Sequence, residues 1–333
     1  MIRGVPETVL VAPDSFKGTF SATEVAAAIG DGLADGGRPV DRCPLADGGE
    51  GTAAALAQAL GGERVSVAAH DPLGREITAE FVLAGERAFL ETASASGLGR
   101  VAEAERDAWR AGTAGTGELV VAAVAAGART VYLGVGGSAS TDGGAGALAA
   151  IVAAGGIGGA RLIVLCDVRT PFEDAARVFG PQKGADPEMV RRLTRRLNDD
   201  ARRLERAAAG RDPRGRPLTG AAGGLSGALW AELGAELVPG AAFVLDAVGF
   251  DARMRAARCV VTGEGALDAS SLAGKLVSEV ATRSRQAGVP CHVVCGTRSL
   301  DAMGARILDL ERILEATTLA ELRAAGRELA ALV

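Results

Sequence analysis

The chain of 333 residues is long enough for two domains of ordinary size with a large core, so a peptide hormone or a small stapled scaffold is excluded. Lys plus Arg number 36 against 41 Asp plus Glu, a net charge of −5, and 8 Phe, 2 Trp and 1 Tyr supply few stacking rings, which disfavours a nucleic-acid binder. A mean hydropathy of +0.20 is carried by Ala and Val, and the uncharged stretch Gly143 to Ala160 holds seven glycines, so no membrane span is expected.

In chain order, Thr8 to Ala12 is a short apolar strand running into Pro13-Asp14-Ser15. Ser21 and Glu24 then form an S-x-x-E capping signature ahead of an Ala-rich helix, Val25 to Leu33. Val40 to Leu45 gives a second strand, closed by Asp47-Gly48-Gly49-Glu50-Gly51, and Thr52 to Leu60 reads as helix. Strands and helices alternating at this spacing predict a parallel sheet whose ligands sit at the carboxyl ends of the strands, where both glycine-bearing polar segments lie. Asp47 and Glu50 equally fit a plain D-x-x-E capping box.

The pattern changes near residue 63. Arg64 to Ala68, Ile77 to Leu83 and Ala88 to Glu91 alternate apolar with polar residues between turn sequences, which predicts antiparallel hairpins. A helix over Thr116 to Ala126, a strand over Thr130 to Val135, a glycine-rich loop, a helix over Ala147 to Ala154 and a strand over Leu162 to Asp167 follow. Pro187 to Ala209 is an Arg-laced helix with Met189, Leu193, Leu197 and Leu204 as its buried stripe, its charges being read as a solvated face. Helices over 223–233 and 241–248 close the region. From Arg258 the βα rhythm returns, with strands at Cys259 to Thr262, Pro290 to Cys295 and Ile307 to Leu310 and helices at Lys275 to Ala287 and Leu319 to Leu332. The expected class is α/β: a discontinuous flavodoxin-like parallel-sheet domain, 1–62 with 256–333, carrying an inserted α/β domain with a mixed sheet, 63–255. A cleft between the two is the expected ligand site.

Of the 36 basic residues only three are Lys, at positions 17, 183 and 275. A chain that installs Arg wherever either cation serves keeps Lys where a compact point charge is needed. Each also touches a glycine, in Lys17-Gly18, Lys183-Gly184 and Gly274-Lys275, and an ammonium beside bare backbone amides suits phosphate. The five cysteines form no C-x-x-C pair and mostly sit in apolar runs. Cys291, His292 and Cys295 carry metal-ligating side chains, but in a strand the two thiols share a face that the imidazole does not, so core packing is expected. With only two His, acid–base work falls to carboxylates.

The candidate site residues gather in five segments. Asp14, Ser15 and Lys17 follow the first strand; Asp47, Gly48, Gly49 and Glu50 follow the second; Gly136, Gly137, Ser138, Thr141 and Asp142 lie on the long glycine loop; Lys183 sits in a Gly-Pro-Gln-Lys-Gly turn; and Gly263, Glu264, Gly265, Asp268 and Lys275 follow a late strand. Together they provide carboxylates for Mg²⁺, ammonium groups for phosphoryl charge and glycine amides for phosphate oxygens, the inventory of a phosphotransferase. Asp47, Asp142 and Asp268 are the candidates for holding Mg²⁺ or accepting the hydroxyl proton, with no ranking among them, and Lys17 is placed with them as catalytic. No Walker sequence occurs, and Gly134 to Ala139 matches a dinucleotide fingerprint weakly, without its acidic partner.

APDSFKG, PLADGGEGT, DPLGR, GTGEL, GGSASTDGGAG, CDV, FGPQKGA, GAAGGL and VTGEGALDASSLAGK occur in this order between Val9 and Gly296. In them the chain resembles the bacterial type I glycerate kinases. The resemblance implies the same two-domain fold and ATP-dependent phosphorylation of D-glycerate to 2-phosphoglycerate, with the polar residues named above at the family's motif positions. The chain departs from the family's pattern by shortened segments at Gly155 to Ala160 and after Val168. Other readings are a catalytically inactive small-molecule-binding homologue and, with less support, a nicotinamide-dependent reductase. A cytoplasmic protein is expected, since the first residues lack an apolar block with a small-residue cleavage site. Its expected partners are a hydroxy acid and a nucleotide, with a homodimer as the expected assembly if it associates.

Overall fold

The computed structural model describes residues 7–207, 210–272 and 275–333. Ala209, at the expected end of the Arg-laced helix, and Gly274, beside Lys275, lie outside the described residues. The elements begin with β1 (Val9–Val11), α1 (Ala22–Asp35), β2 (Val40–Arg42) and α2 (Thr52–Leu60). Next come β3 (Glu63–His70), β4 (Glu76–Ala84), β5 (Arg87–Glu91), α3 (Thr92–Ser96), α4 (Ala114–Ala125), β6 (Thr130–Gly134), α5 (Ala145–Ala153) and β7 (Arg161–Cys166). They continue with α6 (Ala175–Phe179), α7 (Pro187–Arg206), α8 (Leu225–Leu233), β8 (Glu236–Pro239), α9 (Gly240–Ala247) and α10 (Phe250–Arg255). The chain ends on β9 (Cys259–Leu267), α11 (Leu276–Ala287), β10 (Cys291–Arg298), α12 (Ala302–Ile307), β11 (Leu310–Glu315) and α13 (Leu319–Ala330).

Two compact units form. The first joins the residues up to Asp47 with Ala241–Val333, and the second is Gly48–Gly240. In the first unit, five parallel strands lie in the order β11-β10-β9-β1-β2. This is the doubly wound order of a flavodoxin-like sheet, as expected. Val9, Val11, Val261 and Val294 meet Ile29 and Leu33 of α1 and Leu322 and Leu329 of α13 on one face. The two helices touch backbone to backbone. A Cβ on Gly32 would sit 2.0 Å from the Arg323 carbonyl and one on Gly326 would sit 2.2 Å from the Ile29 carbonyl, so this crossing admits only glycine. Both helices start on reciprocal capping boxes, Ser21 with Glu24 and Thr318 with Glu321.

The second unit has a six-stranded mixed sheet, β3-β4-β5-β6-β7-β8. β3, β4 and β5 pair antiparallel, and β5 to β8 pair parallel. Phe81, Leu90, Leu119, Leu133, Val164 and Leu225 form its main core. The stripe Leu193, Leu197, Ala201 and Leu204 of α7 is buried in a second cluster with Phe172.

One expected element is corrected. Ile307 to Leu310 is not a strand: Ile307 ends α12, Leu308 caps it, Asp309 turns at a φ of 56°, and the strand runs from Leu310 to Glu315. Four residues are too few to fix a period, and Leu310 to Glu315 has no strict apolar–polar alternation in sequence or in exposure, so its strand signal is weak. β8 and α10 were not foreseen, and β9 continues five residues past Thr262 through its glycines. Among the described residues no helix is long and apolar enough to cross a membrane.

Cys291, His292 and Cys295 all lie buried on β10, and no group of three or more His, Cys, Asp or Glu gathers to hold a metal among the described residues. Both His292 ring nitrogens lack a hydrogen-bond partner, and burial, ahead of the Arg312 charge, pushes its pKa below 6.5. As pH falls below about 6.5 the unfolded chain takes up a proton that the folded imidazole refuses, so this contribution to stability is present above 6.5 and lost toward the lower folded value. His292→Phe is expected to remove that acid-side loss and two unsatisfied polar atoms, contributing about 1 to 3 kcal/mol. Thermal denaturation at pH 5.0 and 7.5 reads it: the variant's advantage should be larger at pH 5.0.

Candidate functional site

The first unit builds a pocket at the carboxyl ends of its strands. Beyond β1 the chain stays pinned to β9, with the Ala12 N–H donating to the Val261 carbonyl and the Asp14 N–H to the Gly263 carbonyl, both at 2.8 Å. The Leu45 N–H donates to the Pro13 carbonyl at 2.9 Å, which brings Asp47 beside Asp14. Phe16 to Phe20 then folds into a tight turn closed by paired backbone hydrogen bonds, with Lys17 near its tip. The Lys17 ammonium reaches the Asp47 Oδ2 at 3.3 Å, its side chain 59% exposed and that of Asp47 only 5%.

Glu264 projects from β9 into the same pocket. Its Oε1 accepts from the Ser271 hydroxyl at 2.5 Å, and Ser271 Oγ in turn accepts from the Asp268 N–H at 3.1 Å. A hydroxyl that already accepts in this way has its single proton left for Glu264, so Ser271 fixes the carboxylate's rotamer. The cavity has a volume of about 350 Å³. Asp14, Ser15, Lys17, Asp47, Glu264, Gly265 and Lys275 line it, joined by Phe16, Thr19, Ala266, Gly296, Thr297 and Thr317. The sequence reading missed this second group, although Thr297 and Thr317 stand at strand ends where a parallel sheet presents ligands. Burial and then the Asp47 charge push the Asp14 carboxyl well above the usual range. Burial likewise raises that of Glu264 against the pull of Ser271 and Lys275.

Asp268 does not line this pocket. Its Oδ1 accepts from the Ser270 N–H at 2.7 Å and the Ser270 hydroxyl at 2.5 Å, chiefly the latter holding its pKa down. Gly263 sits inside the sheet, where a Cβ would lie 2.4 Å from the Val294 carbonyl.

In the second unit the remaining expected residues serve one loop, Gly134 to Gly144. Asp142 receives four hydrogen bonds: Oδ2 from the Thr113 N–H at 2.9 Å, the Thr113 hydroxyl at 2.8 Å and the Gly146 N–H at 3.1 Å, and Oδ1 from the Gly144 N–H at 3.0 Å. These bonds tie the Asp142 carboxylate to Thr113 and to the start of α5. Lys183 is 2% exposed. Its ammonium donates to Ser138 Oγ at 2.9 Å and to the Ser140 carbonyl at 2.5 Å, and burial pulls its pKa down to about 8 against the opposing Asp142 and Asp167 charges. Thr141 is buried, with its hydroxyl unpartnered. Gly48, Gly49 and Gly136 let backbones touch: a Cβ on Gly136 would lie 2.4 Å from the Gly49 Cα. Gly137 turns at a φ of 70°, and Glu50 is exposed.

No Asp47–Glu50 capping box forms, since α2 has Gly51 at its N-cap with no side-chain bond from that residue. Glu91, at the end of β5, accepts from the Ala53 N–H at 2.7 Å and supplies the cap from a distance no local motif could reveal. The Arg-laced face of α7 is also not wholly solvated. Arg196 donates to the Thr141 and Trp109 carbonyls at 2.5 and 2.9 Å and lies 4.5 Å from the Trp109 ring centroid, tying the same loop down.

A flavodoxin-like sheet whose strand ends carry buried carboxylates and ammonium groups around a small cavity defines an α/β protein that binds a small polar ligand. The family model described as "Glycerate kinase family" matches residues 9–156 and 153–328. The chain belongs to the glycerate kinase family. It is 37% identical over 328 residues to a protein named glycerate kinase from Halalkalibacterium halodurans, covering 87% of this chain and 85% of that one. It is 35% identical over 328 residues to the glycerate 2-kinase of Escherichia coli K12, covering 88% and 86%. A crystal structure of a candidate glycerate kinase 2 from Salmonella typhimurium LT2 matches with a TM-score of 0.79 at 34% identity, over 98% of each chain.

Proposed function

We propose that this protein phosphorylates D-glycerate with ATP, giving 2-phosphoglycerate. The observation that carries the reading is the first unit's pocket, in which Asp14, Asp47 and Glu264 face Lys17 and Lys275 at the ends of parallel strands, in a chain related along its length to proteins of that name. Transfer of a γ-phosphoryl group passes through a loose transition state, so positioning and charge compensation do most of the work. Asp47, paired with the Lys17 ammonium at 3.3 Å, accepts the proton of the attacking hydroxyl as transfer begins, and Lys17 and Lys275 offset charge on the phosphoryl oxygens. The loop that Lys183 holds, with Gly137, Ser138 and Thr141, serves the nucleotide phosphates.

Mg²⁺ is held in such reactions by one or two carboxylates, water and the phosphates, so a three-ligand protein cage is not required. Asp47 would meet that demand, while the carboxylates of Asp142 and Asp268 already accept loop hydrogen bonds. The bound ion supplies neutralisation of the phosphate charge. Both substrates are small molecules, and the cytoplasm is where they meet.

The test is ADP release with D-glycerate, L-glycerate and related hydroxy acids, with the phosphorylated position identified by phosphorus NMR. ADP and 2-phosphoglycerate from D-glycerate are expected. Binding without ADP release would make the chain an inactive homologue, and a nicotinamide absorbance change would make it a reductase.

A further inference from the structure

We infer that the first unit's pocket is the acceptor subsite, selecting a short vicinal-diol carboxylate through hydroxyl donation to Asp14 and Glu264, and that it does not take the body of the nucleotide. The inference rests on the kinase reading above and deepens it by assigning one substrate to one set of residues.

Size is the first argument. About 350 Å³ lies at the small end of ligand pockets, room for a three-carbon acid with its water but tight for a whole nucleoside triphosphate. Unsatisfied acceptors are the second. Asp14 is 5% exposed and Glu264 9%, yet each lines the cavity. Asp14 Oδ1 accepts from the Ser15 N–H at 2.7 Å and Glu264 Oε1 from Ser271, while Asp14 Oδ2 and Glu264 Oε2 accept no hydrogen bond among the described residues. Buried carboxylate oxygens facing a cavity call for O–H or N–H donors from the occupant. A hydroxy-acid diol has two, one of which passes to Asp47 as transfer begins; a triphosphate, all acceptor, has none, and a ribose diol comes only with its base and phosphates attached.

Charge is the third. Three carboxylates, Asp14, Asp47 and Glu264, face two ammonium groups, Lys17 and Lys275. A polyanion brought in whole meets like charge at close range, whereas a hydroxy acid brings one carboxylate that an ammonium group pairs. The roles of the carboxylates also divide. Lys17 bonds Asp47, and Asp14 and Glu264 remain as the hydrogen-bond acceptors that discriminate. Ser271 is then a positioning residue, since it holds Glu264 without lining the cavity itself.

The experiment measures KM for D-glycerate and for ATP in Asp14→Asn, Glu264→Gln and Ser271→Ala, with lactate and 3-hydroxypropionate as analogues lacking one hydroxyl each. Asp14→Asn and Glu264→Gln should each raise the glycerate KM about 10- to 100-fold, as expected for a lost hydrogen bond to a charged group. The ATP KM should stay within about twofold, and each variant should lose discrimination against one of the two analogues. Ser271→Ala should raise the glycerate KM less, with Ser271→Thr restoring it, so the inference survives even if a pocket variant misfolds. A rise in ATP KM alone, equal rises in both, or a fall in kcat with both KM values unchanged overturns it. If the wild-type protein releases no ADP with any hydroxy acid, the kinase reading fails separately. Calorimetry with D-glycerate alone then decides the subsite: binding that weakens in both pocket variants supports it, and binding that does not overturns it.

Discussion

Asp47→Asn is expected to lower kcat by roughly 10²- to 10⁴-fold while the fold stays intact, the range that loss of a positioned general base produces. The fold should tolerate the change because the pair it breaks involves a largely exposed Lys17; such pairs contribute about 1 kcal/mol or less. Asparagine keeps the shape and the acceptor oxygen, so the loss isolates the charge. A second signature follows from the neighbours. The Asp47 charge helps to raise the Asp14 carboxyl, so removing it should let Asp14 titrate at lower pH, and the acid limb of kcat/KM against pH should move to the acid side in the residual activity. Stopped-time ADP assays between pH 5 and 9 and a thermal melt suffice. An Asn variant with wild-type turnover would remove Asp47 from the reaction.

Lys183→Met is expected to leave stability nearly unchanged at neutral pH and to reduce kcat/KM on the order of a hundredfold. The folded pKa of about 8 lies below the 10.5 of the free side chain, so between those values the unfolded chain holds a proton that the folded one has released. Stability therefore rises as pH rises through that window, and below about 8 the charged lysine costs the fold roughly 3 kcal/mol. Met removes this cost but leaves Ser138 Oγ and the Ser140 carbonyl without their donor, each unmade bond costing about 1 to 3 kcal/mol. The two effects offset. What does not offset is the loss of the charge that orders the loop, which matches the scale seen when one preorganised electrostatic group is removed. Melting temperatures at pH 7.5 and 9.5 should converge in the variant relative to wild type, and an unaltered pH slope would show that Lys183 titrates elsewhere.

The structure separates residues that look alike in the sequence. Asp47, Asp142 and Asp268 all stand in glycine-rich turns after strands, and nothing local ranks them. Asp142 accepts from four donors of Thr113, Gly144 and Gly146, Asp268 closes its own turn with Ser270, and Asp47 lines the pocket. Lys183 and Lys17 are similarly alike as Lys-Gly steps, yet one is sealed in a loop and the other is largely exposed. Gly48 and Gly136 carry a glycine signal that reads as phosphate binding, while the backbone crowding around them already demands glycine.

What the sequence determined by itself is what depends on near neighbours: the period of most strands and helices, the capping box at Ser21, and the βα alternation that reads as a parallel sheet. The three lysines were legible by their rarity among the basic residues, and the strand-end carboxylates because a parallel sheet presents its ligands at the carboxyl ends of its strands. Only the tertiary structure decided which donors each carboxylate meets, because these lie far along the chain: Thr113 for Asp142, and Ala53 for Glu91. A carboxylate's chemistry follows from what already bonds it, and residues thirty positions away leave no mark on the local pattern.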